Sequence, residues 1–318
     1  PSRVAFEGSE SDWLLDGEKE EAEAVPVWVR VVERTVAQLV PPTVAVEIAV
    51  VSTLPASCLD AYLAALAVAT ARAVLVHGGA PGPEELDAVL ESHLPTLRRL
   101  LAECTELPFS IAFPIASFAG NTGTFTLVDT YTYEHLPVET TARSALGWSL
   151  VDPKTVPRDA AFHRRRRDQA DEAIELLRAQ GFEGLTSFRE LAHQDLPRAV
   201  DVLPPRLVGV VRHLVTENRR VQKLVAAMRR NDWQMVGALL LMSHASRRDE
   251  WESTSAEADF LVEQVESLTI ESIYGACMTG RGGYVVLVGQ PHAMLLGLDE
   301  LPVAFERRFG VAPEAMLL

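Results

Sequence analysis

The side chains able to do chemistry fall into a few short stretches. Met278-Thr279-Gly280-Arg281-Gly282-Gly283 sets three glycines around an arginine, just ahead of the apolar run VVLVG at 285–289. Glycine lets backbone N–H groups come close to phosphate oxygens, although such a turn before a strand is also common as plain structure. Four consecutive arginines, Arg164–Arg167, open a helical pattern. They oppose its dipole unless acidic neighbours or a bound anion sit beside them. The stretch Val51-Ser52-Thr53-Leu54-Pro55-Ala56-Ser57-Cys58 leads into another helical pattern. Ser57 and the helix dipole leave it able to bind an anion weakly, but it holds no glycine and Pro55 supplies no N–H. Cys58, Cys104 and Cys277 lie too far apart for metal-ligand spacing, and three is an odd count for a disulfide framework. No metal site is expected.

These stretches need a scaffold, and the chain is long enough to build one. Its 318 residues are 48% hydrophobic and 23% charged, a globular composition able to bury a core. The formal charge of −15 disfavours duplex nucleic acid and anionic membranes as partners, while a small anionic ligand stays open. The start, PSRVAFEGSESDW, lacks the order of a signal peptide, and the apolar run from Leu59 to Leu75 is broken by Asp60. The expectation is a cytoplasmic protein with no membrane span.

The elements alternate α and β without repeats. Periodicity predicts a helix at 27–39 ended by Pro41 and Pro42, then a β-branched strand at 43–51. An Ala- and Leu-rich helix at 57–76 follows, with Ser57 and Asp60 spaced as in a capping box. After the turn at 77–83 come a helix near 84–104 and a hairpin-like pair, TFTLVDT and YTYEHL. The later part reads as mostly helical to about residue 267, and 285–289 as a strand. Residues 18–24, EKEEAEA, read as an acidic solvated face.

From Arg212 onward, RHLVTENRRV, SHASRRD and STSAEAD follow the galactokinase pattern H-V-x-x-E-N-x-R-V, S-H-x-S-L-R-D-x-Y and S-x-P-E-L-D. His213, Glu217, Asn218, Val221, Ser243, His244, Ser246, Arg248, Asp249, Ser255 and Asp259 fall on it in order. FHRRRRDQADEA at 162 resembles the family's Y-N-x-R-R-x-x-C-E-E-A, and YGACMTGRGGYVVLV at 274 its glycine-rich loop and strand. The chain is thereby identified as a galactokinase-like member of the GHMP kinase superfamily. The likeness covers nearly the whole chain and is strongest from about residue 116. It implies a two-domain α/β (α+β) fold, with a shortened S5-like N-terminal domain at 1–141 and a helix-rich C-terminal α/β domain at 142–318. It also implies an active site in the cleft between them, and ATP-dependent phosphorylation of a sugar's anomeric hydroxyl, with Mg²⁺.

Carried over residue by residue, the resemblance is uneven. Arg3 falls on the arginine that stabilises charge near the transferred phosphoryl group, and Asp12 on a sugar-hydroxyl ligand. The glutamate and histidine that hold further hydroxyls become Ser9 and Glu10, and the tyrosine that reaches the sugar becomes Phe162. Ser57, Gly280, Gly282 and Gly283 are what remains of the nucleotide-binding amides, and the glycine-serine cradle has lost its glycines. Matching Ala116, Ser117 and Gly120 to G-I-M-D-Q-x-A-S puts Phe113 at the aspartate that acts on the reacting hydroxyl, and Pro114 at the glutamine. Only residues 14–26 separate the N-terminal motif from the first helix, where galactokinases place several strands. Three readings stay open: a galactokinase-like sugar kinase impaired in catalysis, a kinase acting on a different small polyol or acid, and a non-catalytic pseudokinase that senses a ligand or binds a protein. ATP and Mg²⁺ belong to the active readings and no cofactor to the last.

Overall fold

The computed structural model describes residues 3–6, 12–14, 25–41, 46–52, 54, 58–79, 82–140, 146–155, 158–267, 273–281 and 283–317. The chain divides into two units, Pro1–Pro137 and Val138–Leu318, each with cores of its own. In the first, strand β1 (Arg3–Phe6) pairs antiparallel with β2 (Asp12–Leu14) and parallel with β3 (Glu47–Val50). Ile48 and Val50 of β3 pack into a core with Val31 and Val32 of α1 (Val27–Leu39), Leu63 of α2 (Asp60–His77) and Leu101 of α3 (Pro83–Thr105). The fully buried Ala64, Ala67 and Ala71 let neighbouring helices lie close to α2. A second core gathers Val68 of α2, Leu90 and Leu97 of α3, and Ile115 of α4 (Ala112–Ala119). A hairpin, β4 (Phe125–Val128) and β5 (His135–Val138), follows.

Helix α2 is long and apolar enough by length and composition to cross a membrane, but Leu63, Leu66 and Val68 pack inside the two cores just described. Its start corrects one expectation. The helix begins at Asp60, its N-cap is Leu59 at φ 39°, and no side chain among the described residues caps it. Asp60 is therefore the first helical residue rather than the third of a capping box. Ser57 lies outside the described residues. The strand expected at 43–51 is confined, among the described residues, to Glu47–Val50.

The second unit is built on an antiparallel sheet in the order β7 (Ile273–Thr279), β8 (Tyr284–Gly289), β6 (Gly147–Asp152), β9 (Glu314–Leu317). The strand expected at 285–289 is β8. Helices α5 (Ala160–Ala179), α6 (Leu196–Asp201) and α7 (Pro205–Arg229) share one core, with Leu177, Leu207 and Val211 at its centre. Helices α8 (Trp233–Asp249), α9 (Ala256–Ser267) and α10 (Pro291–Phe309) pack with the sheet. Strands β6, β7 and β9 and helix α10 were not expected, and the turn expected at 278–284 is narrowed because Met278 and Thr279 belong to β7 and Tyr284 to β8. The composition of β9, EAML, favours helix, and pairing of Leu150 with Met316 and Val151 with Ala315 overrides it.

The tightest packing in this unit is between α8 and β7. A Cβ on Gly237 would stand 2.0 Å from the Tyr274 carbonyl oxygen, and one on Gly275 would stand 2.3 Å from the Gly237 oxygen. Only paired glycines allow that approach.

Candidate functional site

In the N-terminal sheet, Arg3 pairs with Leu14 and with Glu47, and Ala5 pairs with Asp12 and with Ala49. Residues opposite each other, and residues two apart, share a sheet face. The register thus sets Arg3 between Leu14 and Glu47, with Asp12 two residues along, opposite Ala5. Glu47 was not among the expected site residues. Nothing in the sequence of its strand sets it beside Arg3; the parallel register does. Ser9 and Glu10 lie outside the described residues.

At the head of α2 the polar groups of the preceding loop are turned on one another. The Ser52 Oγ accepts from the Leu54 N–H at 3.1 Å and lies 3.3 Å from the Leu54 carbonyl, to which it donates. Asp60 is buried, 5% exposed, at the first position of the helix, where its negative charge occupies the positive end of the dipole. Helix α4 carries the segment matched to the family's aspartate. Its sequence, AFPIASFA, has no ionisable side chain, and Phe113 packs edge-on to Phe109 at 5.9 Å against the first core.

In the second unit the motif residues resolve into pairs between neighbouring elements. His213 of α7 meets Ser246 of α8 at 2.9 Å, and the Ser243 hydroxyl donates to Glu217 at 2.7 Å. His244 accepts from the Met278 N–H at its Nδ1, 3.2 Å away, and donates from its Nε2 to Asp259 of α9 at 3.1 Å. These two bonds fix the imidazole tautomer and tie α8 to both β7 and α9. Spacing alone lists these residues; the antiparallel packing of α7 and α8 makes them partners.

His213 also stacks on Trp251, with centroids 5.0 Å apart. Its hydroxyl partner, Ser246, donates its single proton to Glu250 at 2.6 Å, so the His213 Nδ1 carries the proton of their shared bond. Burial, followed by the guanidinium groups of Arg247, Arg220 and Arg166, pushes the His213 pKa down to about 3. An unfolded imidazole titrates near 6.5, so between those values the unfolded state binds the extra proton. The stabilisation is whole above that window and is lost as pH falls through it. Below pH 6 the wild-type unfolding free energy should fall more steeply than that of His213→Gln, by up to about 1.4 kcal/mol per pH unit. Urea titrations at pH 7, 6, 5 and 4 test this; parallel curves for the two proteins would refute it.

Asp159 caps α5 by accepting from the Phe162 N–H at 2.7 Å. Phe162 itself is 7% exposed, and the guanidinium groups of Arg158, Arg165 and Arg166 stand 5.5–5.6 Å from its ring centre. The four-arginine run divides: Arg164, Arg165 and Arg167 are exposed, while Arg166 is buried. Arg166 ion-pairs with Glu252 and donates to Gln169 at 3.1 Å. Arg220 pairs with Glu217. The glycine-rich segment is the turn of the β7–β8 hairpin, with Thr279 opposite Tyr284. Gly280 takes φ 60°, and its carbonyl accepts from Arg247 at 3.1 Å. Gly283 lies in the same turn, and Gly282 is outside the described residues.

A galactokinase of Thermotoga neapolitana is 31% identical over 277 residues, which span 84% of this chain and 71% of that protein. The chain belongs to the galactokinase family. A second galactokinase, from Thermotoga maritima, is 30% identical over 271 residues with the same coverage. Human galactokinase is 36% identical over 135 residues, 41% of this chain and 32% of that one. No family model matches. Among solved structures, Lactococcus lactis galactokinase complexed with galactose superposes with a TM-score of 0.80 at 19% identity, covering 99% of this chain and 81% of that chain. L. major mevalonate kinase in complex with R-mevalonate is less similar, with a TM-score of 0.53 at 14% identity over 92% and 76% of the two chains. The fold is that of a galactokinase-like GHMP kinase, with two domains mixing helices and sheets.

Proposed function

We propose that this galactokinase-family chain is impaired in ATP-dependent phosphotransfer and that its ligand is a small sugar or polyol other than galactose. The observation carrying the reading is helix α4, which offers Phe113 and no ionisable group where the family resemblance expects a carboxylate. An aromatic ring can neither accept a proton nor orient a hydroxyl by hydrogen bonding. The remaining family residues, Arg3 and Asp12, stand on the paired strands β1 and β2 and are the groups we assign to the ligand, with Ser9, Glu10 and Phe162 accounting for a changed specificity. Galactokinase-like kinases use ATP and Mg²⁺, and the head of α2 fits a triphosphate poorly. The Leu54 N–H is spent on Ser52, and the Asp60 carboxylate sits where an anion would be drawn.

The alternative within this reading is a pseudokinase that signals ligand occupancy to a protein partner. Calorimetry separates the readings at the first step. Mg-ATP should bind with a dissociation constant above about 1 mM, corresponding to a binding free energy weaker than roughly −4 kcal/mol. Micromolar Mg-ATP binding would overturn the impairment. A thermal-shift panel of sugars and polyols then identifies the ligand, since a true binder raises the melting temperature by mass action.

A further inference from the structure

We propose that the groove between β3 and α2 is a binding site for an uncharged, largely apolar small molecule. The inference goes beyond the reading above and does not depend on it. The groove encloses about 400 Å³ within the N-terminal unit. Its floor is Ile48 and Val50 with Tyr62 and Leu66, and its helical wall is the short-side-chain row Ala65, Ala69 and Ala73. Val51, 70% exposed, and Leu54, 44% exposed, stand at its mouth.

Charge decides the class of occupant. Among the described residues, none that lines the groove is ionised at neutral pH; Ser52, Thr70 and Tyr62 are the polar contributors, and burial raises the Tyr62 phenol pKa further. Of these, Ser52 already bonds both backbone groups of Leu54. The one arginine of α2, Arg72, is held by Asp87 of α3 at 2.7 Å. An anion entering the groove would lose its water and meet no cation among the described lining residues. A neutral molecule loses little and covers Val51, Leu54 and the alanine row, which otherwise face water. A concave apolar site with a few hydroxyls is the usual design for such ligands. The alanine row of α2 can build this wall because the opposite side of the helix is buried in the cores.

The probes are 2-naphthol and 2-naphthyl phosphate, which share a ring system and differ in charge at pH 7. Fluorescence titration of the full chain should give naphthol a dissociation constant on the order of 100 µM, with the phosphate at least about tenfold weaker. Ala69→Leu fills the wall and should weaken naphthol binding about tenfold, while Ala61→Leu, exposed on the same helix outside the lining, should not. Val51→Lys adds a cation at the mouth and should bring the phosphate closer to naphthol in affinity. Equal binding of the two probes by the wild type, or naphthol binding indifferent to Ala69→Leu, would overturn the proposal. Circular dichroism of each variant confirms that a loss is not unfolding. Naphthol binding together with robust galactose phosphorylation would leave the groove in place and sink the proposed function instead; tight Mg-ATP binding without naphthol binding would sink the groove.

Discussion

Replacing Gly237 by alanine should destabilise the C-terminal unit by more than about 3 kcal/mol, among the larger effects a single methyl group can have. Propensity argues the other way: in an open helix Gly→Ala gains about 1 kcal/mol. Geometry overrides it, because the new Cβ would lie 2.0 Å from the Tyr274 oxygen and 2.2 Å from its carbonyl carbon. Those are backbone atoms of a central contact, so no side-chain rotamer relieves the clash. Either α8 lifts from β7 or the strand shifts, and both would strain the His244 bonds to Met278 and Asp259. Gly275→Ala should behave alike, since its Cβ meets the Gly237 backbone at 2.3 Å. Hydrogen exchange read at β7 and β8 amides, with urea unfolding, measures the loss locally. A Gly237→Ala protein as stable as wild type would show that the close approach is not as drawn.

Phe113→Asp should fail to create galactose phosphorylation. A general base contributes about 10²–10⁴-fold, whereas positioning and electrostatic stabilisation carry most of phosphoryl transfer. A carboxylate on α4 cannot restore a phosphate cradle at the head of α2, where Asp60 sits. It would also lose the edge contact with Phe109 and leave charge beside the first core, lowering stability by about 1–3 kcal/mol. Transfer of labelled phosphate from ATP to galactose, wild type against variant, is the assay. Robust wild-type turnover would mean another group acts as base. Turnover appearing only in the variant would mean that the nucleotide is held well and only the carboxylate was missing.

Local pattern revealed α1 to the residue, because Val29, Val32 and Val36 recur on one face and prolines bracket the run. It revealed β8 for a similar reason, an unbroken valine-rich apolar run after a glycine turn. Strand β6 escaped because GWSLVD carries little β signal of its own; it is a strand by virtue of β8 and β9 on its two sides. Asp60 was misplaced for want of one backbone angle, the φ of 39° at Leu59, which delays the helix and moves the carboxylate from a capping role to its first position. The motif residues His213, Glu217, Ser243 and His244 were all legible as a set. Their partners were not, since a spacing of 33 between His213 and Ser246 means nothing until two helices fold back on each other.

Helix α8 meets strand β7 and the turn that follows it at three levels: Gly237 with Gly275, His244 with Met278, and Arg247 with Gly280. Ten helical residues rise about 15 Å and five extended residues about 16 Å, so the two segments keep step like matched rulers. An inserted residue in the helix would rotate everything beyond it by about 100°, and one in the strand would turn it face about. Insertions and deletions should therefore be excluded from 237–247 and 275–280.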